Sequence, residues 1–332
     1  MFVSISSGKT FFASGEETLL DAAQRTGITL PYSCKTGRCS TCKARIASGN
    51  TVARHEELGL TEAERKAGWI LSCVRSAATD LQLEIEDLSD FAFYPARTSA
   101  CRIHSIDRLA FNVLKVVLRF PAAAEQRFHP GQYVDVIGHG GLRRSYSIAN
   151  APSAQSRIEL HIRKVAGGAM SRYWFDEAKI NDLLRVNGPL GTFFLRNLAG
   201  RNLVFLATGT GIAPVKAMLE GLSSHMDADA EQPRSVWVFW GNRDAEDLYW
   251  SPSDVPFPHR FVPVLSRAGA DWKGARGHVQ QAAMAQMQDW ENATVYACGS
   301  DTMIHAAHQA LVAKGLPARQ FYSDAFVCSA PD

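Results

Sequence analysis

The stretch CKTGRCSTC occupies residues 34–42, and a fourth cysteine, Cys73, follows after 30 further residues. This C-x4-C-x2-C spacing with one distant cysteine is typical of plant-type [2Fe–2S] sites. Two irons bridged by two sulfides need four thiolates, and a tight loop that supplies three of them can wrap a small cluster. Gly37, Ser40 and Thr41 lie between the cysteines and let the loop amides point inward at the sulfur atoms. The predicted ligands are Cys34, Cys39, Cys42 and Cys73.

A structural zinc site is the main alternative to a cluster at these cysteines, and a chance match is the other. Structural zinc is usually held by paired C-x2-C units, and the motif contains one such pair. The chain has seven cysteines, and this odd number argues against a disulfide framework. Outside the motif, Cys101 lies in an alternating apolar segment and is expected in the core, whereas Cys328 is expected to be incidental.

Around this motif, the composition is that of a globular protein. The 332 residues suggest about two domains, with three small ones as an option. Lys and Arg number 35 against 33 Asp and Glu, a net charge of +2 that argues against nucleic acid as a partner. Apolar runs fall far short of the ~18 residues of a membrane-spanning helix. The first residues show no basic segment before an apolar one, so we expect no signal peptide, no membrane insertion and a cytoplasmic protein.

The first part of the chain reads as a compact α+β unit. Its predicted elements are a hairpin over residues 2–13, helices that begin at Thr18 and Thr61 and end near Gly27 and Gly68, and a half-buried strand through Leu81, Leu83 and Ile85. Residues 87–95 break this pattern and predict a linker.

After residue 95, the predicted secondary structure follows two different patterns in succession. Short β-patterned runs separated by Pro and Gly turns, at residues 112–120, 132–137, 144–149 and 157–163, predict a small antiparallel barrel. Apolar strands at residues 203–207, 236–240, 261–265 and 295–298 then alternate with helical stretches. That βαβ pattern predicts a parallel sheet.

Two motifs in the barrel region suit a flavin. In RRSYSIAN, residues 143–150, alternation places Arg144 and Tyr146 on one face, where a guanidinium can pair with a phosphate and a ring can cover an isoalloxazine. GGAMS, residues 167–171, opens a predicted helix, and a Gly-rich turn at a helix start suits a pyrophosphate. An ordinary strand and an ordinary capped helix are the alternatives.

Two motifs in the last region suit a dinucleotide. TGTGIAP, residues 208–214, lies between a strand and a helix, where glycines allow close approach of phosphates. It is not a full G-x-G-x-x-G, because Pro214 stands in place of the third glycine. YACGS, residues 296–300, ends a later strand, at the edge where α/β sheets bind ligands. A buried small residue is the alternative for Cys298.

Together, these motifs resemble the ferredoxin–NAD(P)H reductase family over nearly the whole chain, with a plant-type ferredoxin module first. Longer strings resemble the CDP-6-deoxy-Δ3,4-glucoseen reductases and the reductases of multicomponent oxygenases; they lie at residues 143–152, 188–194 and 321–327. The resemblance implies a multidomain fold: an α+β ferredoxin domain of the β-grasp type at residues 1–92, an antiparallel β-barrel FAD domain at 97–198 and an α/β parallel-sheet NAD(P)H domain at 199–332. Ser40 is a departure, since many relatives have Gly there, and it can change hydrogen bonding to the cluster.

The resemblance also assigns residues. It implies that Ser147, Cys298 and Phe326 lie at the site of hydride transfer, with Ser147 near flavin N5 and Phe326 shielding the flavin. The cofactor-binding residues that it implies are Arg144, Ser145, Tyr146, Ser147, His161, Arg163, Gly168, Met170, Ser171, Thr208, Gly209, Gly211, Pro214, Cys298, Gly299 and Phe326.

The implied function is an electron-transfer reductase. NAD(P)H would give hydride to FAD, and electrons would leave singly through the cluster to a partner protein, either a sugar dehydrase or an oxygenase component. A stand-alone diaphorase or flavin reductase and a zinc-containing nucleotide-binding protein are the alternatives. NADH is favoured by resemblance. Ser266 and Arg267 could hold a 2′-phosphate, but Asp271 would repel it if it faced the site. One arginine without support should discriminate by only about tenfold, so we expect a modest NADH preference with measurable NADPH activity.

Overall fold

The computed structural model describes residues 1–122, 124–196, 198–224, 232–252, 255 and 258–326, so Cys328 lies outside the described residues. The chain divides into two compact units, Met1–Phe93 and Tyr94–Asp332. This boundary falls within the predicted linker. Leu88 within that stretch is nevertheless fully buried, and its amide donates to the carbonyl of Thr29 at 2.8 Å. In the described part of the chain, no helix is long and apolar enough to cross a membrane.

The first unit is a mixed sheet with one helix against its core. The sheet has the order β2-β1-β7-β3-β5, with β1 and β7 parallel and the other neighbours antiparallel, and β4 pairs with β6. The strands are β1 (Phe2–Ile5), β2 (Thr10–Phe12), β3 (Lys43–Ser48), β4 (Thr51–Ala53), β5 (Trp69–Leu71), β6 (Arg75–Ala77) and β7 (Leu81–Glu84). The helices are α1 (Leu19–Arg25), whose apolar side chains enter the core, and the exposed α2 (Glu62–Lys66). Thr18 and Thr61 cap them through their hydroxyls, which confirms both predicted helix starts.

The second unit begins with a six-stranded antiparallel sheet of order β11-β10-β13-β8-β9-β12. Its strands are β8 (Arg97–Ala110), β9 (Val113–Arg119), β10 (Tyr133–Ile137), β11 (Arg143–Ser147), β12 (Arg157–Arg163) and β13 (Leu183–Leu190). A bridge between Ile148 and Leu160 links the end of β11 to β12, which brings the two edges of the sheet together. A short helix, α3 (Ala169–Arg172), continues as one π-helical turn over Tyr173–Glu177.

The rest of the second unit is a six-stranded parallel sheet of order β17-β16-β15-β14-β18-β19. Its strands are β14 (Asn202–Thr208), β15 (Ser235–Asn242), β16 (Arg260–Leu265), β17 (Ala275–Arg276), β18 (Ala293–Gly299) and β19 (Phe321–Ala325), and its helices are α4 (Ile212–Ser224), α5 (Val279–Gln286) and α6 (Asp301–Val312). The central strands β14 and β18 are buried on both faces, which explains their continuous apolar runs. Because all strands are parallel, their carboxyl ends lie at one edge.

Candidate functional site

The loop between α1 and β3 brings three of the predicted cysteines together, and the turn after β5 adds Cys73. The sulfurs of Cys42 and Cys73 are 3.2 Å apart. Cys34 and Cys39 form a second pair, in which the amide of each lies 3.4 Å from the sulfur of the other. Among the described residues, no group of three or more His, Cys, Asp or Glu side chains is arranged to hold a single metal ion. The two pairs of thiols match the four ligands of a two-iron cluster, two for each iron.

The backbone of this loop adopts left-handed conformations at three positions. Lys35, Gly37 and Ser40 have φ of 55°, 75° and 61°. A Cβ on Gly37 would lie 2.5 Å from the carbonyl oxygen of Glu56, so only glycine fits there. The hydroxyl of Ser40 donates to the carbonyl of Gly59, so this departure from the family pattern ties two loops together.

The thiol of Cys34 is already biased toward the ligand form. A hydrogen bond with the Cys39 thiol and the amide of Thr36, 3.4 Å from Cys34 Sγ, lower the pKa of Cys34 to about 5. The same contact between the two thiols, together with burial, raises the pKa of the Cys39 thiol well above its ordinary value, so this pair shares one thiolate-favouring and one thiol-favouring member.

The strand β11 carries the predicted flavin residues on alternate faces. The hydroxyl of Ser145 donates to Asp135 at 2.6 Å, whereas Tyr146, on the other face, accepts a hydrogen bond from Trp174 Nε1 at 3.0 Å. Burial raises the pKa of Tyr146 to about 12, so its phenol is neutral. Ser147 is buried. The structure thus fixes the Tyr146 ring by a contact that the sequence did not reveal.

The predicted pyrophosphate turn precedes α3. Gly167 has φ of 74°, and Gly168 is the residue before the helix. The hydroxyl of Ser171 accepts from the amide of Val165 at 2.9 Å, which closes the turn, and Met170 is buried.

A cavity of about 700 Å³ lies at the carboxyl edge of the parallel sheet. Five of the predicted residues line it together: Arg163, Thr208, Gly209, Gly299 and Phe326. Arg163 comes from the end of β12 and the others from the parallel sheet and its loops, so both parts of the second unit contribute to the cavity. Arg243, Ser266 and His278 also line it.

Gly209 and Gly299 both have a positive φ, and a side chain at either position would contact neighbouring atoms. A Cβ on Gly209 would lie 2.7 Å from a guanidinium nitrogen of Arg163. Gly299 has φ of 121°, and a Cβ there would lie 2.4 Å from the hydroxyl of Thr208. A Cβ on Gly211 would lie 2.3 Å from the carbonyl oxygen of Cys298, so loop and strand touch directly. Pro214 lies in the first turn of α4, where its missing amide hydrogen breaks no helical bond.

Cys298 is fully buried beside Asp324, its register partner on β19. Burial, followed by the charge of Asp324, raises the pKa of Cys298 well above its ordinary value, so the thiol is neutral. The sequence analysis did not predict Asp324 as a neighbour of Cys298. The only sequence feature that could have indicated it is an acidic residue two positions before Phe326.

His161 lies in a buried polar network rather than at an open surface. Its Nε2 is 2.9 Å from the carboxylate of Glu159, and its Nδ1 is 3.3 Å from the hydroxyl of Tyr249. Lys216 on α4 reaches the same carboxylate at 3.2 Å. Glu159, Lys216 and Tyr249 were also missed, because the contacts join segments far apart in the chain.

With this geometry described, three family models match the chain in sequence order. They are the 2Fe-2S iron-sulfur cluster binding domain over residues 3–77, the oxidoreductase FAD-binding domain over residues 100–195 and the oxidoreductase NAD-binding domain over residues 205–309. The chain belongs to the ferredoxin–NAD(P)H reductase family with an N-terminal [2Fe–2S] domain. This reductase is therefore an NAD(P)H-dependent oxidoreductase, and the predicted [2Fe–2S], FAD and NAD(P)H cofactors are confirmed.

Curated relatives support the same class. The reductase is 40% identical over 97% of each chain to the CDP-6-deoxy-L-threo-D-glycero-4-hexulose-3-dehydrase reductase of Yersinia pestis. It is 31% identical to the xylene/toluene monooxygenase electron transfer component XylA of Pseudomonas putida, covering 93% of this chain and 89% of that one. Among solved structures, the Amycolatopsis cytochrome P450 reductase GcoB aligns with a TM-score of 0.74, at 28% identity and 98% coverage of both chains. The individual site residues stay predictions.

Proposed function

We propose that this reductase takes hydride from NADH and delivers single electrons to a CDP-6-deoxy-hexulose dehydrase of deoxysugar biosynthesis. The observation that carries the electron-transfer part is the cavity of about 700 Å³, because residues from the flavin-binding sheet and from the nucleotide-binding sheet line it together. When bound, FAD accepts a hydride from a nicotinamide, and a [2Fe–2S] cluster passes electrons on one at a time.

The first unit would hold the cluster through Cys34, Cys39, Cys42 and Cys73. The amides of Thr36 and Cys39 would donate to the ligand Cys34, and such hydrogen bonds tune a cluster's potential. The small side chains and left-handed turns of the loop let the backbone approach the sulfur closely. We regard the mixed sheet beneath it as a β-grasp.

In the second unit, the antiparallel sheet would form a closed barrel that binds FAD. Tyr146, held by Trp174, would pack against the flavin, and Arg144 would pair with its phosphate. Gly168 and Ser171 would form the pyrophosphate turn. Phe326, 38% exposed beside the cavity, would cover the ring until a nicotinamide arrives. Ser147 and Cys298 would border the reacting atoms.

The nucleotide would enter with its phosphates at Thr208–Gly211 and Gly299. Ser266 lines the cavity, but Arg267 is not among the lining residues, and its amide donates to the carbonyl of Arg243 at 3.0 Å. This leaves Arg243 as the cation beside Ser266, and a single cation supports the modest NADH preference. Measurement of kcat/KM with both donors tests it; a strong NADPH preference that disappears in Arg267→Ala or Arg243→Ala would overturn it.

The choice of partner rests on similarity. Identity is 40% to the dehydrase reductase, against 29% to the phenol 2-monooxygenase reductase component DmpP of Pseudomonas sp. and 31% to XylA. An oxygenase component is the second candidate, favoured by the number of oxygenase reductases among the relatives. A stand-alone diaphorase is disfavoured, because direct oxidation of a flavin needs no ferredoxin module.

Reconstitution with candidate acceptors tests the proposal. The purified reductase and NADH are combined under anaerobic conditions with a pyridoxamine-phosphate-dependent sugar dehydrase, and in parallel with a Rieske oxygenase and a di-iron hydroxylase. We expect turnover with the dehydrase and its loss in Cys39→Ser. Turnover with an oxygenase alone would reassign the partner. Reduction of small acceptors without turnover of any of the three protein acceptors would favour the diaphorase.

A further inference from the structure

Lys216 on α4 joins the parallel-sheet part of the second unit to the antiparallel sheet, through Ala149 and Glu159. We propose that Lys216, with Glu159 and Glu220, positions the nucleotide loop against the flavin-binding strand, so that Lys216 is a positioning residue for hydride transfer. The inference rests on the proposed function, because it takes β11 as the flavin strand and residues 209–211 as the nucleotide loop.

The ammonium of Lys216 donates two hydrogen bonds and forms an ion pair with a second carboxylate. It lies 2.9 Å from the carbonyl oxygen of Ala149, 2.7 Å from Glu220 Oε1 and 3.2 Å from Glu159 Oε1. The second oxygen of Glu220 accepts from the amide of Ala151 at 2.9 Å. Ala149 and Ala151 follow Ser147, the last residue of β11, by two and four residues. Lys216 and Glu220 therefore hold the segment that continues from the end of β11.

Two of the three side chains in this contact are largely shielded from water, whereas Glu220 is 34% exposed. Lys216 is 15% exposed and Glu159 is 18% exposed. Ion pairs in such surroundings are screened little by salt, and their geometry is fixed by the hydrogen bonds. Loss of the ammonium alone would leave the carboxylates of Glu159 and Glu220 close together with no cation between them.

A second series of contacts connects Glu159 to the nucleotide loop, residues 209–211. Glu159 bonds His161, and His161 contacts Tyr249. Tyr249 packs edge-on against Trp240 at 5.1 Å, and Trp240 Nε1 donates to the carbonyl of Gly209 at 2.8 Å. Since α4 begins directly after Gly211, the loop is held from both ends. Lys216 lies in the second turn of α4, so its contacts act close to the loop from which the helix begins.

Transient kinetics of flavin reduction test the role. Lys216→Met removes the charge and keeps the length of the side chain. We expect the rate constant for flavin reduction by NADH to fall about tenfold or more, since small misplacements of reacting atoms are costly, while FAD content and the Kd for NADH change less than about threefold. Lys216→Arg should restore most of the rate. Lys66→Met is the matched control, because Lys66 forms the same i,i+4 pair with Glu62 on an exposed helix of the other unit.

Amide hydrogen exchange gives a readout independent of activity. In Lys216→Met, the amide of Ala151 should exchange about tenfold faster or more, because its acceptor Glu220 is no longer held. Unchanged exchange at Ala151 together with an unchanged rate of flavin reduction would overturn the inference. A large loss of FAD or of NADH binding would make Lys216 a purely structural residue and would also overturn it. Failure of the unmodified protein to reduce its flavin with NADH would instead overturn the proposed function.

Discussion

Cys39 is 2% exposed, and its amide is directed at Cys34 Sγ in the predicted cluster loop. Replacement of one ligand thiol by a hydroxyl removes a soft donor that iron prefers. We expect Cys39→Ser to lose most of the cluster's visible absorbance and bound iron while it keeps FAD. Flavin reduction by NADH should persist, and reduction of cytochrome c through the cluster should fall. Cys101→Ser is the control, since Cys101 is buried in the other unit; a full native spectrum in Cys39→Ser would refute the ligand assignment.

His161 ties the stability of the second unit to pH. Burial lowers its pKa from 6.5, against the opposing hydrogen bond that it donates to Glu159, and the charges of Lys216 and Lys115 lower it further. The other group facing it is Tyr249, whose pKa is raised by burial, so the phenol stays neutral. The unfolded chain therefore binds this proton at higher pH than the native protein, and the free energy of unfolding falls as pH drops below about 6.5.

Denaturant unfolding at about pH 8 and about pH 5.5 checks this dependence. The native protein should lose more stability between these values than His161→Gln, which keeps a polar side chain but does not titrate. Glu159, whose pKa is held below its ordinary value despite burial, stays ionised over this window and contributes little to the difference. Equal losses in both proteins would show that His161 is not the group that titrates.

At the scale of elements, the turn from β18 to α6 leaves no room for a side chain at Gly299. A side chain on Gly299 would need a left-handed backbone and would collide with Thr208. Gly299→Ala should destabilise the second unit by about 1–3 kcal/mol and raise the KM for NADH. Gly269→Ala, where no atom lies within 4 Å of the new Cβ and no left-handed backbone is required, is the matched control. Steady-state kinetics and denaturant melts of both variants measure the effect, and equal behaviour would contradict it.

The elements that sequence predicted are those with local signals. The capped helices α1 and α2 and the apolar strands β14 and β18 lie where expected, because caps and continuous apolar runs are encoded by neighbouring residues. Strand β8 was not predicted, since register shifts between Ile103 and Ser105 and between Arg108 and Ala110 break its alternation. Strand β13 contains Gly188 and Pro189, which read as a turn.

The residues of the candidate site also divide into those with a local sequence signal and those without one. The cysteine loop and the glycine turns follow from spacing, because each is a short segment with a conformational requirement. The partners of His161 lie on β12, α4 and the segment after β15, and Asp324 meets Cys298 across two strands. Such contacts depend on tertiary packing, which a single sequence does not display.

The whole molecule has a separate hydrophobic core in each unit. The core of the first unit is formed by residues between Val3 and Ile85, and the second unit contains its own cores under the two sheets. Scanning calorimetry should therefore resolve at least two transitions. Cys39→Ser should lower the transition of the first unit, since a bound cluster stabilises only the folded state, and Gly299→Ala should lower the other. One transition that shifts as a whole in both variants would contradict separate cores.

Because the cores are separate, damage to one unit should remove one part of the reductase's activity and leave the other part. Damage confined to the cysteine loop removes the outlet for electrons but leaves the hydride-accepting half folded. We expect such a molecule to keep consuming reduced nucleotide and to pass the electrons to dissolved oxygen, which would yield peroxide instead of product. Injury to the first unit would thus convert a directed reductase into an uncoupled oxidase, whereas we expect injury to the second unit to stop nucleotide consumption.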